Sequence, residues 1–216
     1  MTLVPFRSAS EAKAALEPVR THLAGGGLLG YPTETVYGLG SRAVADDVRA
    51  LAELKSRPPR KPFLLLIGRQ TMADEAGLIF NEPARALAEA FWPGALTLIL
   101  PGGTGLPDSL RGPEGGVAVR WTSHNRLAWL IRELGEPITS TSANRPGGPT
   151  APGPEGLVAT FADAVARGRL LVLDGGVLGN VPPSTLIDCT SPVPRLVREG
   201  ALPRGELQAR VGRFAP

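Results

Sequence analysis

The chain has 216 residues, 43% hydrophobic and 20% charged, with a formal net charge of +3 and one cysteine. That supplies a real core for one large domain or two small ones, and Cys189 alone excludes an intrachain disulfide and a cysteine-based metal site. A mildly basic balance permits an anionic ligand without announcing a nucleic-acid protein, and no apolar run approaches a membrane span.

Ser8-Ala-Ser-Glu11 reads as a capping box that opens a helix towards His22, with Pro18 inside it leaving the second half open. Gly25-Gly-Gly27 stops that helix, and Leu28-Leu-Gly-Tyr31 reads as a short buried strand. Asp46 or Asp47 caps a helix through Val48, Leu51 and Leu54 that delivers Lys55 at its end. Phe63 to Ile67 is a continuous apolar run, as expected of a strand covered on both faces. Glu82 to Phe91 reads as helix, Leu96 to Leu100 as strand, and Val117 to Trp121 as a strand with Arg120 near its end. Arg126 to Leu134 is an amphipathic helix, Glu155 to Ala166 a further one, and Leu170 to Leu173, Thr185 to Asp188 and Arg195 to Val197 are strands. Strands and helices alternate, then strands follow strands, so the expected fold is a single α/β domain with an open, twisted, mixed sheet and flanking helices. The domain is expected over residues 1–204. The segment 205–216 reads as a C-terminal tail, either helix or loose. Pro101 to Gly116 and Arg145 to Pro154 read as surface loops. Met1 to Arg7 lacks a signal-peptide shape, so a cytoplasmic protein is expected.

Three separated segments hold polar residues where a phosphate-binding enzyme needs them. They are Tyr31 to Gly40, Lys55 to Pro62, and Ser140-Thr-Ser-Ala-Asn144. The first and third follow apolar runs and read as turns at strand ends, where open α/β sheets bind ligands. The middle one packs Lys55, Arg57, Arg60 and Lys61 among prolines, and such mutually repelling cations favour an anion. Arg57 can grip a phosphate as a fork, while Lys55 and Lys61 act as point charges. A helix end with dipole-matched cations is the plainer reading of that segment.

Gly25-Gly-Gly-Leu-Leu-Gly30 matches G-x-G-x-x-G formally, but it ends a helix and enters a strand, the reverse of a dinucleotide fingerprint. No Walker A motif, Gly-x-Ser-x-Gly or metal-ligand histidine spacing occurs; His22, His124 and Cys189 read as ordinary core or surface residues.

Pro32-Thr-Glu-Thr-Val-Tyr-Gly-Leu-Gly40, Lys55-x-Arg57-Pro58, Trp92-Pro-Gly94, Val117-Ala-Val-Arg120, Ser142-Ala-Asn144, Pro183-Ser-Thr185 and Val197-Arg-Glu-Gly200 occur in the order of the YrdC-like family. From about Gly27 to Gly200 the chain resembles that family. The resemblance implies an open α/β sheet with a large concave basic face. It also implies synthesis of threonylcarbamoyl-adenylate and pyrophosphate from L-threonine, bicarbonate and ATP. A partner transferase complex then moves the threonylcarbamoyl group to the adenosine beside the anticodon of tRNA. The implied roles are ATP phosphate contacts and catalysis for Lys55 and Arg57, with Lys61, Ser142, Asn144, Thr150 and Arg198 as further ATP contacts. Thr35, Arg120, Ser140 and Ser184 are the implied threonine pocket, with Arg120 suited to a carboxylate. Magnesium is expected to ride on the triphosphate with few protein ligands and no protein metal site. Long two-domain members carry a histidine where this chain has Leu66; short members lack it as well.

The rival class is an RNA-binding module of the same fold, holding tRNA weakly or double-stranded RNA, without adenylating activity. Aromatics at 5% and no aromatic interleaving for base stacking weigh against it.

Overall fold

The protein is described from a computed structural model covering residues 3–57, 61–179 and 181–215. In chain order the strands are β1 (Leu3–Pro5), β2 (Leu28–Tyr31), β3 (Gly38–Gly40), β4 (Leu64–Ile67), β5 (Leu96–Leu100), β6 (Val117–Trp121), β7 (Ile138–Ser142), β8 (Leu170–Asp174), β9 (Thr185–Asp188) and β10 (Arg195–Arg198). The helices are α1 (Ala9–Ala24), α2 (Ala45–Leu54), α3 (Thr71–Glu75), α4 (Glu82–Phe91), α5 (Asn125–Leu134), α6 (Pro154–Thr160), α7 (Ala162–Ala166) and α8 (Arg204–Val211).

The capping box forms as its residues predict. The Glu11 N–H donates to Ser8 Oγ at 3.2 Å, and the Ser8 N–H donates to Glu11 Oε2 at 2.8 Å. The helix then passes through Pro18 to Ala24. Pro18 and Ala14 are both exposed, so the carbonyl that the proline leaves unbonded faces water. Ala12, Ala15, Val19 and Leu23 form the buried stripe. At α2 the expected acidic cap is absent. Val44 is the N-cap with no side-chain bond, and Asp47 instead accepts from Arg42 Nε at 2.8 Å.

Among the described residues ten strands join one mixed sheet in the order β1-β8-β2-β3-β7-β4-β6-β5-β9-β10. Strand β7 lies near its middle, antiparallel to both β3 and β4. The glycines of β3 let Tyr31 cross them: a Cβ on Gly38 would stand 2.7 Å from the tyrosine ring. The Tyr31 hydroxyl then donates to the Thr139 carbonyl at 3.0 Å. Register places Arg120 opposite Leu66, and Leu66 opposite Ile138. Period-two alternation puts Leu66, Arg120, Ile138, Ser140 and Ser142 on one face. The connection from β8 to β9 carries the chain between the two halves of the sheet and delivers Ser184 beside β5.

The third polar segment is not a turn throughout, as its serines and threonine suggested. Ser140, Thr141 and Ser142 complete β7, because β3 and β4 flank them with paired backbones. The helix expected over 155–166 is two, broken at Phe161, whose side chain is buried. After residue 204 the chain is helical to Val211; Leu207 of that helix and Phe214 beyond it join the core, and α8 lies against α4. No helix among the described residues is long and apolar enough to cross a membrane.

Candidate functional site

Helix α2 ends in a Schellman turn. The Ser56 N–H donates to the Glu53 carbonyl at 3.0 Å and the Arg57 N–H to the Ala52 carbonyl at 2.9 Å. Ser56 holds the left-handed position usually given to glycine, with φ of 46°. This turn fixes where Lys55 and Arg57 leave the helix. Lys55 is only 5% exposed and reaches the end of β7. Its Nζ donates to the Ser142 carbonyl at 2.8 Å, to Asn144 Oδ1 at 2.9 Å, and to the Asn144 carbonyl. All three ammonium donors are therefore spent on the Ser-Ala-Asn turn. Within that turn Ser142 Oγ donates to Asn144 Oδ1 at 2.7 Å, and Asn144 Nδ2 donates to the Gly148 carbonyl at 2.7 Å. Thr150 follows, half-buried, on the same loop.

Arg57 lies over the Phe63 ring, 4.4 Å from its centroid. Its Nε donates to the Lys61 carbonyl at 2.6 Å, Nη2 to the Pro62 carbonyl at 2.7 Å, and Nη1 to Thr141 Oγ1 at 3.0 Å. Among the described residues two of its five N–H groups lack an acceptor. Lys61 is exposed. Pro58, Pro59 and Arg60, part of the expected cationic segment, lie outside the described residues. Among the described residues none of Lys55, Arg57 and Lys61 pairs with a carboxylate. Burial, then Arg57, Lys61 and Arg145, push the Lys55 ammonium down to about 8; burial pushes the Arg57 guanidinium down to about 10.

The second cluster lies around Arg120 of β6, also 5% exposed. Its Nη1 and Nη2 donate to Thr35 Oγ1 at 3.3 and 3.2 Å, and its Nε donates to the Gly94 carbonyl at 3.1 Å. Nη2 also pairs with Glu34 Oε1 at 2.8 Å. Arg120, expected to suit a carboxylate, is thus already surrounded by Glu34, Thr35 and Gly94, and among the described residues one Nη1 N–H has no acceptor. Burial pushes the Glu34 carboxyl up, but Arg120 and the hydrogen bond from Thr122 outweigh it and hold it below its ordinary value. Ser140 is buried on the same face. Ser184 Oγ and Thr97 Oγ1 are 2.8 Å apart, both buried. Arg198 Nη2 donates to the Ser184 carbonyl at 2.8 Å, and burial and then Arg120 lower its guanidinium. Gly200 seals this corner, since a Cβ there would fall on the Pro183 carbonyl. Leu66, in the position expected to carry histidine in long relatives, is buried between Arg120 and Ile138.

The two clusters meet on β7, where Ser140 and Ser142 stand two residues apart on one face, about 7 Å. One side offers cations without acids and the other a paired arginine with hydroxyls. Sequence reasoning missed Glu34, Thr97, Thr122 and the Gly94 carbonyl. Glu34 had a signal, as the one acid inside the Pro-Thr-Glu-Thr run; the others arrive through register alone. Among the described residues no group of three or more His, Cys, Asp or Glu could hold a metal ion. Two surface concavities, about 320 Å³ beside α4 and α8 and about 480 Å³ beside α3, hold none of these residues.

A family model described as "Telomere recombination" (Sua5_yciO_yrdC) matches residues 21–200. The threonylcarbamoyl-AMP synthase of Bacillus subtilis is 37% identical over 195 residues, covering 86% of this chain and 53% of that protein. The threonylcarbamoyl-AMP synthase of Thiobacillus denitrificans is 34% identical over 183 residues, covering 84% of this chain and 95% of its own. The crystal structure of P. abyssi Sua5 complexed with L-threonine superposes with a TM-score of 0.88 at 31% identity, covering 99% of this chain and 62% of that one. The chain therefore spans about half the length of the Bacillus relative and nearly all of the Thiobacillus one.

Proposed function

The chain belongs to the Sua5–YciO–YrdC family, and on that premise we propose that it makes threonylcarbamoyl-AMP from L-threonine, bicarbonate and ATP. The observation that carries the reading is the pair of clusters joined by β7: desolvated cations without acids, which suit a polyphosphate, beside a buried arginine with hydroxyls, which suits an amino acid. Relatives named threonylcarbamoyl-AMP synthase, and a relative crystallised with L-threonine, support it.

The threonine amine takes up bicarbonate as a carbamate with loss of water. A carbamate oxygen then attacks the α-phosphorus, the bond to the β-phosphate oxygen breaks, and pyrophosphate leaves. The class is nucleotidyl transfer. No protein nucleophile is required: positioning and stabilisation of phosphate charge supply the acceleration. Arg57, Lys61 and Arg198 hold phosphate oxygens, and Lys55 holds the Ser142–Asn144 turn against the nucleotide until a phosphate draws it over. Thr150 closes the nucleotide side. Arg120, Thr35, Ser140 and Ser184 hold threonine. Magnesium enters as Mg·ATP, as part of the substrate. A cytoplasmic transferase complex would consume the product and pass the group to tRNA, whose own contact with this chain would be weak.

The test is pyrophosphate release from ATP with and without L-threonine and bicarbonate. Release that needs both, with L-serine much poorer, supports the reading. Folded protein that binds RNA in a salt-dependent way but releases no threonine-dependent pyrophosphate replaces it with the RNA-binding module.

A further inference from the structure

We propose that Glu34 is a positioning residue for the amino-acid side of the site: its carboxylate sets the direction of the Arg120 guanidinium and so the carboxylate that guanidinium can accept. The inference rests on the functional reading above. Three observations carry it. Arg120 is almost fully buried, and among the described residues its only ion pair is with Glu34, at 2.8 Å. Glu34 is in turn pinned from behind: Oε2 accepts from the Thr122 hydroxyl at 2.6 Å and Oε1 from the Ser123 N–H at 3.1 Å. The carboxylate is therefore fastened to the corner between β6 and α5, and His124 of that corner caps α5 through the Leu127 N–H at 3.2 Å. Finally, Arg120 Nε donates to Gly94 and both Nη atoms to Thr35, and among the described residues one Nη1 N–H has no acceptor and can meet a ligand.

An arginine held this way offers that N–H in a fixed direction; without Glu34 the buried guanidinium keeps only the neutral oxygens of Gly94 and Thr35 and has no charge to hold it. Arg120 lies close enough to Arg198 to lower its guanidinium, and Glu34 offsets the Arg120 charge there. Glu34 thus acts through Arg120 and touches no reacting atom.

Glu34→Gln separates the possibilities, because the amide oxygen can still accept from the Ser123 N–H, the amide NH2 can donate to the Thr122 hydroxyl oxygen, and the charge is lost. If Glu34 positions Arg120, the Kd and KM for L-threonine rise at least about tenfold, the scale of a lost charge-assisted bond, while the KM for ATP is unchanged. If Glu34 merely competes for Arg120, L-threonine binds more tightly in the variant, and the proposal is overturned. A fall in Tm with an unchanged threonine KM overturns it as well. Thr122→Val loosens the brace without touching a charge and is expected to raise the threonine Kd about two- to fivefold; no rise in a folded Thr122→Val variant contradicts the brace. Should wild type not bind L-threonine, the functional reading fails first. The NMR signals of the Arg120 Nε–H and guanidinium in ligand-free protein then decide the brace alone. Restricted rotation in wild type that is released in either variant supports it, and free rotation in wild type overturns it.

Discussion

The two halves of the site solve the burial of a cation in opposite ways. Arg120 has an acid, Glu34, and hydroxyl and carbonyl acceptors around it. Among the described residues Lys55 and Arg57 have only neutral oxygens as partners, so nothing offsets the burial, and at Lys55 the neighbouring cations, that lower them to about 8 and about 10. A cation satisfied by carbonyls but not neutralised is stabilised by any anion that arrives. The arginine with an acid is already set for a ligand of small net charge, and the cations without one await a ligand that is heavily charged.

The sharpest way to break this contrast is to remove Lys55. Lys55→Met loses three hydrogen bonds and the charge nearest the Ser-Ala-Asn turn. ATP-dependent turnover is expected to fall about a hundredfold, with threonine binding close to wild type. Arg57→Ala leaves Lys55 in place and is expected to cost at least about tenfold in the same assay. Turnover at the wild-type rate in Arg57→Ala removes it from the phosphate grip.

A titration sharpens the contrast. The Lys55 pKa is lower in the folded protein than its ordinary 10.5, so the unfolded chain binds more protons between about 8 and 10.5. Ligand-free stability should therefore rise as pH passes through that window. A bound triphosphate pulls the pKa back up, so ATP binding at pH 8.5 should take up protons. Calorimetry in two buffers of different ionisation enthalpy measures the uptake, which Lys55→Met should abolish. The smallest effect is local: Ser56→Gly relieves a left-handed backbone at φ of 46° and should stabilise the protein by about 1 kcal/mol, read from urea unfolding.

The elements legible in the sequence were those with a strong apolar period. α4, β5, β6 and β9 start and end where their patterns do. β1 and β3 were invisible because three residues each, one with a proline and one with two glycines, carry no pattern of their own; their partners make them strands. Ser140 to Ser142 looked like a turn because polar residues rarely fill a central strand, and ligand-facing positions are where that rule is broken. The site's polar residue types could be read, but its pairings could not. That Glu34 meets Arg120, or that Lys55 spends its donors on Asn144, depends on a register spanning about 86 to 89 positions of chain.

The most direct test is calorimetric titration of ATP and of L-threonine into wild type, Arg57→Ala and Arg120→Lys. The account predicts a double dissociation. Arg57→Ala weakens ATP binding and spares threonine, and Arg120→Lys, which loses the planar donors facing Thr35 and Glu34, weakens threonine and spares ATP. Loss of both ligands in each folded variant, or of neither, would contradict a site built from two separately assembled halves.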